Sequence, residues 1–331
     1  MKNGLDYNTY DIPVVTKLEV RSFKPNSKEY FWIRLASDGL GNPILIPIIV
    51  ARGKKDGPVM GITAALHGNE INGIQVIQRL MDEVDPEELR GTIVGIPVVN
   101  VPSYLRQERF FVDGVDLNRI MPGKGKGNMS EVYANRFIER VVHEFDYLLD
   151  LHTASFGRVN SYYIRADLEI PEVKKLALLQ NADIIVHNPP SDGTLRGAAD
   201  ELGIPSITIE VGNPNIFQKR LIRSGLEGIH NVLCYLNMID DEIVRNEKPG
   251  VICSSSYWIY TELGGLLTVY PSLCDKLQTG DHIATVRDVF GNIIKDFHLQ
   301  EHGIVIGKST HPVNQSGGRI LHLGIIQDDF S

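Results

Sequence analysis

A chain of 331 residues is longer than one hydrophobic core usually fills, so a large domain with a smaller companion is expected. Its 43% hydrophobic and 22% charged residues are ordinary for a globular protein, and a net charge of −8 with no basic run argues against nucleic acid as a partner. Apolar runs such as Ile48–Ala51 and Ile62–Leu66 fall far short of the ~20 residues that cross a bilayer. The opening MKNGLDYNTYDIP has no apolar signal core, and Cys234, Cys253 and Cys274 follow no paired spacing, so a cytoplasmic protein with reduced thiols and no membrane partner is expected.

The elements follow in chain order. Residues 29–37 and 43–51 read as strands around the turn SDGLGNP, and GKKDGP leads into a third strand over 59–66. The spacing predicts a helix from about 70 to 83, a strand over 92–99 and a long loop over 100–129. Ser130 is expected to cap the helix EVYANRFIERVVHEF. A strand over 147–151, a helix over 171–180, a strand over 183–186 and a short helix over 195–202 come next. They lead to a strand over 206–211 and a longer helix over 216–239. Strands alternating with helices argue for an α/β fold: a mixed, mostly parallel central sheet with helices on both faces. After RNEKPG the texture changes to short runs rich in Val, Ile, Gly and Thr. Residues 1–245 therefore read as the main domain and 246–331 as a small all-β C-terminal domain.

Open α/β sheets place their sites beyond the carboxyl ends of strands. His67 and Glu70 follow the strand over 59–66, on a turn where a three-residue step can aim both side chains at one ion and Gly68 lets the backbone bend. The loop after the next strand carries RFFVDGVDLNR, residues 109–119, and His152 follows the strand over 147–151. Glu210 lies between Ile209 and Val211, where a carboxylate needs a partner or a function. The set suits a catalytic zinc, which takes three ligands from His and carboxylate and keeps a place for water. Such an ion polarises a carbonyl and acidifies its water, while a free carboxylate moves the proton to the leaving amine. An arginine can steady the oxyanion, and a second can grip a substrate carboxylate.

In order and spacing, HGNE (67–70), DGVDLNR (113–119), DLHT (150–153) and IEVGNP (209–214) resemble the succinylglutamate desuccinylase/aspartoacylase family. That family lies within the zinc carboxypeptidase superfamily. The resemblance implies one zinc per chain, bound by His67, Glu70 and His152, with Glu210 as general base and acid. It implies that Asn118 and Arg119 hold a substrate carboxylate. Arg109 would polarise the scissile carbonyl, with Arg106 its rival for that role. Asp116 would accept a hydrogen bond from the other ring nitrogen of His67. GTLRGAADELGIP, residues 193–205, is similar to a stretch of bacterial members and makes Arg196 a further substrate contact.

The expected function is a zinc-dependent amidohydrolase that cleaves the non-peptide amide bond of a small N-acyl amino acid. Two alternatives stand beside it: a metallocarboxypeptidase acting on short peptides, and a non-catalytic zinc-binding or small-molecule-binding protein. A β-domain over the cleft argues against long peptides, and the retained glutamate argues against a dead enzyme. A homodimer is the default expectation. Tyr257, Tyr260 and Tyr270 are the tyrosines the C-terminal domain could lend to the site. The remaining histidines, His322 among them, read as structural or surface residues.

Overall fold

The structure, a computed structural model, describes residues 12–327, so most of the opening stretch read for a signal core lies outside it. The short strand β1 (Val14–Val15) runs parallel to β2 (Ser27–Ser37), which turns into β3 (Pro43–Arg52). Asp38 sets that turn by accepting the backbone N–H groups of Leu40 and Asn42, each at 2.9 Å. β4 (Lys55–Ala64), α1 (Asn72–Glu83) and β5 (Arg90–Ile96) form a parallel crossover. α1 buries Ile74, Ile77, Leu80 and Met81 at helical spacing.

The stretch read as a long loop holds a short helix, α2 (Val101–Arg106), with Asn100 as its side-chain cap. Asn128, not Ser130, caps α3 (Met129–Arg140), and Glu131 completes a reciprocal capping box. α3 also ends five residues before the expected Phe145, where Val141 leaves helical geometry. β6 (Tyr147–His152) is as expected. Like β1, two strands that follow were not foreseen: β7 (Arg158–Asn160) and β8 (Tyr162–Ala166). β7 has only three residues, two of them polar, and β8 only five. Then come α4 (Pro171–Leu178), β9 (Ile184–His187), α5 (Leu195–Glu201), β10 (Ser206–Val211) and α6 (Lys219–Tyr235).

The C-terminal strands are β11 (Val251–Tyr260), β12 (Gly265–Val269), β13 (Lys276–Leu277), β14 (His282–Arg287), β15 (Ile293–His298), β16 (Gly303–Ser309), β17 (Val313–Asn314) and β18 (Arg319–Ile326). The main sheet is mixed, with 14 strands in the order β1-β2-β3-β5-β4-β6-β10-β8-β9-β11-β18-β16-β13, and β7 pairs with β16. β5, β4, β6 and β10 form its parallel centre. α1, α4 and α6 cover one face with an aliphatic core; α3 and α5 cover the other. β15-β14-β12-β17 make a separate antiparallel sheet. β11, β16 and β18 instead extend the main sheet, through the parallel pairing of Val251 with Ile184 and Cys253 with Val186. No described helix is long and apolar enough to cross a membrane.

Candidate active site

Register explains how an apolar-looking sheet carries polar chemistry. Asp150 on β6 lies between Thr63 of β4 and Thr208 of β10, and His152 pairs with Glu210. Residues in register on adjacent strands share a face, and side chains alternate along each strand. Leu149, Leu151, Ile207 and Ile209 therefore join the core on the α1 side, while Asp150, His152, Thr208 and Glu210 face the other way. Antiparallel β8 adds Tyr163 beside Glu210 and Arg165 beside Thr208.

His67 and Glu70 stand on the turn after β4. Ala65 takes a left-handed φ of 48° there, an uncommon conformation for a residue with a Cβ. Asn100 fixes the turn by donating to the carbonyl of Leu66 at 3.1 Å. Gly68 is needed for close approach rather than for bending: a Cβ at this position would lie 2.1 Å from the Ser103 carbonyl carbon of α2.

His67, Glu70 and His152 are all buried, and one donor atom from each lies within 4.8 Å of the others. Glu70 holds His67 Nδ1 at 2.9 Å through one oxygen and His152 Nδ1 at 3.0 Å through the other. Each outer nitrogen, Nε2, meets a carboxylate: Asp116 at 3.0 Å for His67 and Asp150 at 2.6 Å for His152. Burial would raise the Glu70 carboxyl, but His67 and His152 outweigh it and hold it well below the usual range. Burial likewise opposes charge on His152, and Asp150 and Glu70 overcome that to raise its pKa well above the ordinary value. Two imidazoles and a carboxylate, converging through Nδ1 with both outer nitrogens oriented by carboxylates, fit a divalent ion such as zinc.

The structure brings eight of the nine expected residues to the wall of one cavity of about 430 Å³; only Asp116 stands behind it, on His67. Glu210, 7% exposed, accepts from Asn160 Nδ2 at 3.2 Å and lies 3.6 Å from Arg165 Nε. Arg109 pairs with Asp116 at 2.8 Å and Glu70 at 3.1 Å. Its rival Arg106 pairs with Glu108 and is not part of the cavity wall. Asn118 accepts the backbone N–H of Leu195 at 2.8 Å, so it tethers the start of α5. Arg196 is buried and donates to the carbonyl and side-chain oxygens of Asn188. Burial and nearby Arg165 lower its pKa to about 10.

Other residues of the wall had no motif to announce them. Ser155 donates to Glu70 at 2.6 Å and accepts from Arg109 at 2.7 Å. Arg158, Tyr163 and Arg165 enter from β7 and β8, and the Tyr–x–Arg alternation of β8 was the one legible signal. The C-terminal strands supply Tyr257, Trp258, Tyr260, Arg319 and His322. His322 is buried, stacks on Trp258 with ring centres 5.0 Å apart, and bonds Ser256 at 3.0 Å. Tyr270 is not part of this wall; it bonds Thr285 at 2.9 Å.

The family profile of the succinylglutamate desuccinylase/aspartoacylase catalytic domain matches residues 56–236. The chain is 25% identical over 260 residues to an N-alpha-acetyl-L-2,4-diaminobutyric acid deacetylase of Halomonas elongata, covering 74% of this chain and 75% of that one. It is 28% identical over 178 residues to a succinylglutamate desuccinylase of Pseudomonas paraeruginosa, covering 50% of this chain and 53% of that one. Among solved structures, the ectoine utilization protein EutE (DoeB) of Ruegeria pomeroyi, in a product-bound form, aligns with a TM-score of 0.82 at 21% identity over 90% of this chain and 95% of that one. A succinylglutamate desuccinylase/aspartoacylase from Rhodobacter sphaeroides aligns with a TM-score of 0.82 at 22% identity over 93% of this chain and 98% of that one, so the fold is shared. With the profile spanning more than half its length, the chain belongs to the succinylglutamate desuccinylase/aspartoacylase family.

Proposed function

We propose that the protein is a zinc-dependent amidohydrolase that removes the acyl group from a small N-acyl amino acid. The reading rests above all on the convergence of His67, Glu70 and His152 with Arg109 and Glu210 in one cavity. His67, Glu70 and His152 would hold one zinc per chain, and the ion when bound acts as a Lewis acid and makes water more acidic. Arg109 faces this cluster and donates to the amide oxygen as negative charge develops there. Glu210, next to His152 in register, takes a proton from the attacking water and returns it to the departing nitrogen. Asn160 and Arg165 hold its carboxylate in place. Arg119 grips the substrate carboxylate; Arg196 adds a cation, and Asn118 also anchors α5. Water and the amide give a carboxylate and a free amino acid.

The wall built from β11 and β18 limits the cavity to about 430 Å³, which suits a small acyl amino acid better than a long peptide. The two relatives named as a deacetylase and a desuccinylase support the same class. The test is amine release from N-acetyl, N-succinyl and N-formyl amino acids, with blocked dipeptides and longer peptides alongside. Release is expected only from acyl amino acids. It should be lost on chelation and fall by about 10²–10⁴-fold in Glu210→Gln, which should still bind zinc. Cleavage of peptides alone would move the protein to the carboxypeptidase reading, and full activity in Glu210→Gln would remove that residue from proton transfer.

A further inference from the structure

A further cavity, of about 280 Å³, sits where α4, the start of β9 and the segment over 243–250 meet. It shares no lining residue with the active-site cavity. Ile185 of β9 pairs with Ile164 of β8, and Ile164 with Ile209 of β10; all three join the aliphatic core beneath α1, α4 and α6. Tyr163, Arg165 and Glu210 face the other way, into the active site. The two cavities therefore lie on opposite faces of the main sheet.

The floor of this cavity is aliphatic and buried, built from Leu179, Ala182 and Ile185. The segment above it is pinned in place. Val244 donates its N–H to Asn231 Oδ1 at 2.8 Å, and its carbonyl accepts from Asn231 Nδ2 and Asn181 Nδ2, each at 2.9 Å. Asn246 Nδ2 donates to the Asn181 carbonyl at 2.9 Å, and Val251 donates its N–H to the Asp183 carbonyl as β11 begins. So the segment is held over aliphatic side chains without filling the space above them, which leaves room for an apolar guest. The rest of the lining has one sign of charge: Lys175, Arg245 and Lys248, with no carboxylate. Among the described residues none of the three is in an ion pair; Lys175 lies 5.4 Å from the Tyr235 ring instead. Glu247, their neighbour in the chain, is exposed and not part of the lining.

We infer that this cavity is a binding site for a small carboxylate with an unbranched aliphatic tail. The tail lies on Leu179, Ala182 and Ile185, and the carboxylate meets Lys175, Arg245 and Lys248 at the mouth. Each half selects for its own part of the ligand. Burial of the tail adds about fourfold in affinity per CH₂ group. The three cations favour an anion and repel an ammonium of the same length. The volume lies at the small end of ligand pockets, which limits the tail to a few carbons. The inference stands apart from the deacylase reading, because the site uses neither the metal cluster nor Glu210.

The test is calorimetric titration of the full chain, at one pH and salt concentration, with butanoate, hexanoate, hexanol and hexylammonium. Hexanoate should bind about 15-fold more tightly than butanoate, for its two extra CH₂ groups. Hexanol should bind at least about 10-fold more weakly than hexanoate, and hexylammonium should not bind. The double variant Arg245→Gln, Lys248→Gln changes two exposed side chains, so its melting temperature without ligand should match wild type. It should lose about 10-fold in hexanoate affinity, and with it most of the rise in melting temperature that hexanoate gives wild type. Unchanged hexanoate affinity in the double variant would place the anion elsewhere, on the arginines of the active site for instance, and overturn the inference. Equal binding of hexanoate and hexanol would remove the cationic mouth, equal binding of butanoate and hexanoate would remove the aliphatic floor, and either result, or no binding of hexanoate, overturns the site.

Discussion

Asp150→Asn tests how the site prepares its ligands. Asp150 is 1% exposed; one oxygen lies 2.6 Å from His152 Nε2, and the other accepts from Thr63 at 2.7 Å. The substitution keeps the shape and removes the charge. If Thr63 still donates to the remaining oxygen, the new amide turns its N–H toward His152 Nε2. The imidazole then favours the tautomer with its proton on Nδ1, the nitrogen that faces Glu70 and must be bare to ligate. Loss of such an orienting partner weakens metal binding by roughly 10- to 100-fold, or about 1.4–2.7 kcal/mol. Zinc affinity measured by competition with a chromophoric chelator, at one pH, reads this directly. Amine release at saturating zinc should recover most of the activity. An affinity within about twofold of wild type would refute the argument that Asp150 sets the His152 tautomer.

Three further outcomes follow from the geometry. Burial, with Arg165, Arg158 and Arg319 adding to it, lowers His322 to about 3. The unfolded chain therefore binds a proton that the folded one refuses between about pH 6.5 and 3, so stability is lost as pH is lowered through that window, by up to about 1.4 kcal/mol per pH unit. His322→Gln should flatten that part of the denaturation profile; an unchanged acid slope would show that other groups set it. Gly68→Ala forces a Cβ into the α2 backbone and should cost about 1–3 kcal/mol in urea unfolding, with weaker zinc binding. A wild-type midpoint would mean that the turn yields freely. Asn128→Ala removes a capping box and should cost about 1 kcal/mol, with zinc affinity unchanged because the cap lies outside the cavity wall. A matching loss of zinc affinity would contradict that separation.

The sequence alone determined the parts whose signals are local. His67, Glu70, His152 and Glu210 each sit at or near the end of a strand, and period and turn chemistry locate strand ends without knowledge of their neighbours. The α/β alternation and the β-rich C-terminal stretch were legible for the same reason. Element ends were less so: Asn128 outcompeted Ser130 because its side chain could reach the Glu131 N–H while Glu131 reached back. Tertiary structure decided everything that depends on register. Only pairing across strands sets His152 beside Glu210, brings Arg165 within 3.6 Å of Glu210 and carries Trp258 and Arg319 to the same cavity, whereas the shared face of Asp150 and His152 follows from alternation along one strand. β7 was missed because two of its three residues, Arg158 and Asn160, are polar side chains that serve that cavity, while β8 kept a legible alternation, Tyr163 and Arg165 toward the cavity, in a strand only five residues long. The way β11 and β18 extend the main sheet could not be read from composition, because hydrogen bonding between distant segments leaves no periodic mark in either of them.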